Sequence, residues 1–140
     1  MVTTDQSSLA AQLRLAIART ARRLRQEGGW LSPTLGAAMS TIERYGPLTP
    51  SELASRERIQ RPTATRLIAR LEQDGLIIRT PDPVDRRSCM ISVSPTGAAE
   101  LKTARTRKDA FLEARLAQLS AEDRATIARA ADLLEELLQA

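Results

Sequence analysis

Apolar positions along the chain form helical stripes at both ends, with a short alternating stretch between them. Leu9, Leu13, Ile17 and Leu24 recur at four- and seven-residue spacings, which predicts a long first helix over 6–27 with one continuous apolar face. Gly28-Gly29-Trp30 marks a bend before a second helix. Thr49 then stands as an N-cap, with Pro50 at the first helical position and Glu52 three residues after the cap, so a short helix opens there and stops near Arg58. A further helix runs from Pro62 to Asp74 and is ended by Gly75. Gly75-Leu76-Ile77-Ile78-Arg79 is strand-like, and Cys89, Ile91 and Val93 alternate with Met90, Ser92 and Ser94 at period two, giving two strands around a charged tip. Ser94-Pro95 opens a helix carrying Leu101, Phe111, Leu112, Leu116 and Leu119, and Ser120 with Asp123 caps a last one containing Ile127, Leu134 and Leu138.

Two helices joined by a tight turn over 49–74 form a helix-turn-helix, whose second helix is built to be read from outside. Ala64, Leu67, Ile68 and Leu71 share one face, while Pro62, Arg66, Ala69 and Gln73 point the opposite way, flanked by Thr63, Thr65 and Arg70. Small residues and threonines between arginines let such a helix lie deep in a DNA major groove. There arginine reaches guanine edges, and threonine reaches phosphates or thymine methyls. Neither Gln60 nor Arg61 is a strong cap, which leaves the first backbone N–H groups available to a phosphate. Against this stands an intrahelical pairing of Arg70 with Asp74, four residues on.

The tip Asp82-Pro83-Val84-Asp85-Arg86-Arg87-Ser88 places adjacent arginines where a hairpin can enter a narrow minor groove, with Asp85 positioned to hold Arg87 in direction. Together, Leu48-Thr49-Pro50-Ser51-Glu52-Leu53-Ala54, Pro62-Thr63-Ala64-Thr65-Arg66-Leu67 leading to Leu71-Glu72-Gln73-Asp74-Gly75-Leu76-Ile77, and the Asp85-x-Arg87 tip resemble the MarR family of winged-helix transcription regulators over nearly the whole chain. The resemblance implies a mainly α fold with a small β-hairpin wing: a winged helix-turn-helix module over 33–94 within one domain, 1–140, with dimerisation helices over 6–27 and 95–140. It also implies a homodimer whose recognition helices enter successive major grooves, the arginine matching Arg87 in the minor groove, and a ligand-responsive repressor more often than an activator.

Composition narrows the alternatives. The 21 basic and 17 acidic side chains leave a net charge of +4, and all the cations but Lys102 and Lys108 are arginine. Arg56, Arg58, Arg61, Arg66, Arg70, Arg79, Arg86 and Arg87 outnumber the five acids among them, a local electrostatic footprint on the helix-turn-helix and wing. With no histidine and one cysteine, most metal sites are removed, as are Ser-His-Asp and Cys-His catalysis, and no glycine-rich phosphate loop is present, so neither a metal, a cofactor nor an enzyme activity is expected. Cys89 shares a strand face with Ile91 and Val93 and reads as small core filler. Oxidant-sensing members of the family carry their cysteine near the first helix, where this chain has none. The N-terminus has no apolar leader and the chain no long apolar run, which points to a cytoplasmic protein without membrane contact.

The expected DNA-binding set is Arg61, Pro62, Thr63, Thr65, Arg66, Arg70, Asp85, Arg86 and Arg87, acting on double-stranded DNA. Terminal apolar stripes on a short chain are most economically buried against a second copy, which makes Leu9, Leu13, Ile17, Phe111, Leu112, Leu116, Leu134 and Leu138 the expected dimerisation residues. The resemblance places an effector cleft between the dimer helices and the winged module, near Trp30 and Leu31, where a small aromatic or apolar effector could bind. An acidic one would be received by Arg23 or Arg25. Two rival readings are a low-specificity architectural DNA binder and a winged helix used for protein contacts.

Overall fold

The computed structural model describes residues 2–29 and 31–140, with side chains described from Asp5 onward; Trp30 lies outside the described residues. Six helices and one two-stranded sheet follow in the order α1 (Val2–Gly28), α2 (Pro33–Tyr45), α3 (Pro50–Glu57), α4 (Arg61–Gln73), β1 (Ile77–Pro81), β2 (Cys89–Val93), α5 (Pro95–Leu116) and α6 (Ala121–Gln139). Four of the helix starts obey one rule. Ser32, Thr49, Ser94 and Ser120 each sit in extended backbone and accept a bond from the backbone N–H three residues on. Glu52 N donates to Thr49 Oγ1 at 3.2 Å. Glu52, placed three residues after the cap to return a side-chain bond to the Thr49 N–H in a capping box, makes no such bond among the described residues.

The core lies in the middle of the chain. Met39 and Ile42 of α2, Leu53 of α3, Ile68 and Leu71 of α4, Leu76, Ile77, Ile91 and Leu101 form one cluster with Leu48, and Leu67, Cys89 and Val93 pack against it. The expected inward face of the second helix of the pair is therefore the observed one, and its outward face is exposed at Pro62, Arg66, Ala69 and Gln73. Its boundaries differ by one residue at each end, starting at Arg61 and closing with Asp74 as the cap. The tight turn before it uses Arg58 in the left-handed region (φ 55°), with Ile59 N returning to Ala54 O at 3.0 Å.

The hairpin pairs Ile77 with Val93, Arg79 with Ile91 and Pro81 with Cys89. Strand β1 starts two residues later than the sequence pattern places it and continues beyond Arg79, because Gly75 (φ +73°) and Leu76 are used to close α4: Gly75 N bonds Glu72 O at 3.0 Å and Leu76 N bonds Leu71 O at 2.9 Å. Leu48 adds a short third rung, exchanging both backbone bonds with Ile91. Ser94 joins the module to α5. Its Oγ donates to Gly75 O at 2.6 Å and accepts from Gly97 N at 2.9 Å, while its own N–H donates to Leu76 O. At Gly97 a Cβ would stand 2.1 Å from Leu76 O, so the start of α5 can approach the closing turn of α4 this closely only without a side chain there.

Outside the module, α1 packs along α5 within the same chain, and α6 has no buried residue. The terminal apolar residues consequently divide. Leu13, Phe111, Leu112, Leu116 and Leu134 are half-buried, whereas Leu9 (60%), Ile17 and Leu138 (81%) are exposed. Among the described residues no helix is long and apolar enough to cross a membrane.

Candidate nucleic-acid interface

Helix α4 presents its first turn without a side-chain cap at Gln60, which leaves N–H groups and the positive end of the helix dipole facing outward. Arg61 reaches back through Nη1 to Ser51 Oγ, tying this turn to α3. Thr65 Oγ1 donates to Arg61 O at 3.0 Å, which leaves its oxygen as an acceptor and its methyl free to meet a base. Arg66 is exposed, with Nη2 3.4 Å from Thr63 Oγ1, so its guanidinium is only loosely held. Arg70 is engaged: its Nε donates to Asp74 Oδ2 at 3.0 Å, the intrahelical pair that competes with a DNA role for this residue.

The wing tip is shaped by its acids. Asp82 Oδ1 accepts from Val84 N at 2.9 Å, and Asp85 Oδ1 accepts from Arg87 N at 3.0 Å and more weakly from Arg87 Nε at 3.4 Å. Asp85 thus orients Arg87 through backbone and side chain together, while the Arg87 side chain stays 93% exposed. Arg86 beside it is exposed as well.

One cationic side chain that periodicity did not single out as a site residue connects helix and wing. Arg79, on β1, donates through Nε to Glu72 Oε2 of α4 at 2.5 Å and through Nη1 to Cys89 Sγ of β2 at 3.6 Å. The Glu72 hydrogen bond holds the Arg79 guanidinium charge still more firmly than usual, raising its pKa above the ordinary arginine value. The charge near Cys89 therefore comes from Arg79, and Cys89 itself is half-buried against the core. Between the start of α4 and the wing lies a cleft of about 280 Å³, lined by Pro50, Arg61, Thr65, Ile68, Arg79, Arg87, Ser88 and Cys89. Three arginines and no acid line it, which suits an anion.

A second cleft of about 300 Å³ lies where α1, α2 and α5 meet. Leu31, Pro33, Ala37, Leu101 and Ala104 give it apolar walls, and Arg25, Arg105 and Lys108 give it cations. Leu31 lines it as expected, and so does Arg25. Arg23 does not: it pairs with Glu27 at 2.8 Å and its guanidinium lies 5.0 Å over the Phe111 ring, commitments that turn it toward α5.

Comparison with known proteins agrees with this architecture. The MarR family model matches residues 31–89. The chain is 40% identical over 132 residues to an uncharacterised HTH-type transcriptional regulator of Mycobacterium leprae, covering 93% of this chain and 92% of that one. A Pseudomonas aeruginosa crystal structure described as a candidate transcriptional regulator superposes with a TM-score of 0.88 at 34% identity, covering 97% of both chains. Streptococcus pneumoniae FabT, solved in complex with DNA, shares the fold with a TM-score of 0.69 at 18% identity, covering 96% of both chains. A helix-turn-helix, a paired-arginine wing and flanking terminal helices thus come together in one chain that belongs to the MarR family of DNA-binding transcriptional regulators.

Proposed function

We propose that the protein is a dimeric, effector-responsive repressor acting on a pseudo-palindromic operator. The observation that carries the reading is the single basic surface formed by the uncapped start of α4, the cleft lined by Arg61, Arg79 and Arg87, and the Asp85-oriented wing tip. In this reading Arg66, Thr63 and Thr65 meet base edges in the major groove, with Pro62 and Arg61 at the groove wall. Arg87 enters the minor groove and Arg86 meets phosphate. Arg70 joins them only by giving up Asp74.

A dimer follows from the exposed apolar residues of α1 and α6. The charges there are complementary: arginines 14, 19, 22, 23 and 25 dominate α1, and acids 122, 123, 132, 135 and 136 dominate α6. The cleft lined by Arg25, Leu31, Arg105 and Lys108 is assigned to a small effector with an apolar body and an anionic group.

Selection from a random duplex library at physiological ionic strength, followed by sequencing, tests the reading. One palindromic motif with half-sites about 10 base pairs apart is expected. Uniform recovery would replace it with an architectural, low-specificity role, and no recovery with a winged helix used for protein contacts.

A further inference from the structure

The ion pair between Arg105 of α5 and Glu43 of α2 (Nη2 to Oε1, 2.5 Å) occupies a distinctive place. Of the ion pairs among the described residues, the other four lie within α1, within α4, between α4 and the wing, or at the wing tip. Arg105–Glu43 alone joins a terminal helix to the winged module. Arg105 also lines the cleft assigned above to the effector, and Glu43 does not.

One guanidinium is therefore shared between a tie that holds the module to α5 and a cavity that already offers Arg25 and Lys108 to an anion. Neither of those two cations has an acidic partner among the described ion pairs. Arginine keeps its charge at any physiological pH, and its planar fork can serve two oxygens of one carboxylate. An anion between the three cations thus offers Arg105 a better partner than the single, half-exposed contact with Glu43.

We propose that Arg105 is the coupling residue of this protein: an anion entering the cleft draws Arg105 off Glu43, and loss of that tie shifts the balance of the winged module away from its DNA-competent setting on α5. This rests on the cleft being the effector site. The change is an exchange of ionic partners, with no bond made or broken. Its direction follows from linkage: the Arg105–Glu43 tie competes with the anion, so a change that removes the tie and leaves Arg105 in place must strengthen anion binding by the corresponding factor.

Benzoate is a suitable probe, with benzamide as its uncharged control, and Glu43→Gln is the decisive variant because it cuts the tie without altering the cleft lining. Binding is measured by calorimetry and by the fluorescence of Trp30, the one tryptophan in the chain; DNA binding is measured by anisotropy on the selected operator. Glu43→Gln is expected to bind benzoate about two- to fivefold more tightly than the unmodified protein, the range of a partly exposed ion pair. It should also bind DNA more weakly without benzoate and respond little when benzoate is added. Arg105→Gln should lose most of the benzoate affinity, and benzamide should have no effect on either protein.

If benzoate binds and lowers DNA affinity but Glu43→Gln leaves both unchanged, the coupling is wrong while the effector cleft stands. If the unmodified protein shows no benzoate binding at millimolar concentration, or binds it undiminished after Arg105→Gln, the cleft reading and the coupling fall together. Thermal melting of both variants by circular dichroism checks that each is folded.

Discussion

At the scale of single residues, Arg66 and Arg87 make different predictions because they are held differently. Arg66 is loosely placed by Thr63 and can adapt to a base edge, so Arg66→Ala should cost about 1–3 kcal/mol of operator binding and relax preference at one position, read by competition with single-base operator variants. An unchanged preference would remove Arg66 from base reading. Arg87 is aimed by Asp85, and its loss should weaken binding most where the flanks are A·T-rich and lower the slope of log K against log salt by about one unit. Gly97 tests the scaffold instead of the interface. A methyl group there meets the Leu76 carbonyl, so Gly97→Ala should destabilise the fold by about 1–3 kcal/mol in urea denaturation, although alanine is the better helix former. Such residues differ in how readable they were. Thr49, Ser94 and Ser120 are legible because a cap acts within three residues of sequence, whereas the constraint on Gly97 arises from the Leu76 carbonyl in the closing turn of α4, about twenty residues earlier.

At the scale of elements, the helix-turn-helix and the hairpin were legible nearly to the residue, because their apolar faces alternate at 3.6 and 2 and their ends carry proline and glycine. What periodicity could not show is how one element is set against another. Glu72 and Arg79 are separated by the closing turn of α4, so no helical or strand spacing relates them, yet their bond is the direct ionic link between recognition helix and wing. Nor could the leucine stripe of α1 say that its partner within the chain is α5, since an amphipathic face specifies burial and not a neighbour. Arg79→Met keeps the apolar stem and removes the link. Because the pair is substantially exposed, stability should change by no more than about 1 kcal/mol. Operator affinity should fall more than stability does, since the angle between Arg66 and Arg87 is no longer fixed. Equal small changes in melting and anisotropy measurements would make Arg79 an ordinary surface residue.

At the scale of the whole molecule, α6 stands uncovered, a helix of 19 residues with none buried and with Ile127, Leu133, Leu137 and Leu138 exposed. An amphipathic helix so weakly packed does not hold its place by propensity alone, and the proposed second copy supplies the missing surface. With α1 of one copy set against α6 of the other in the proposed two-fold dimer, their opposite charges allow a test that also distinguishes contacts between copies from contacts within one. Reversing three charges on α1 (Arg14→Glu, Arg19→Glu, Arg22→Glu) should leave two negative helices facing each other at both symmetric contacts, and reversing three on α6 (Asp132→Lys, Glu135→Lys, Glu136→Lys) two positive ones. At about half a kcal/mol for each exposed pair, either set should weaken the homodimer by roughly 3 kcal/mol, about a hundredfold in affinity, with the difference shrinking at high salt. Mixed in equal amounts, the two variants face each other with opposite charges again at both contacts, so sedimentation equilibrium should show a heterodimer where neither variant alone associates. Were the charges acting inside one chain, each variant would be defective by itself and mixing would restore nothing.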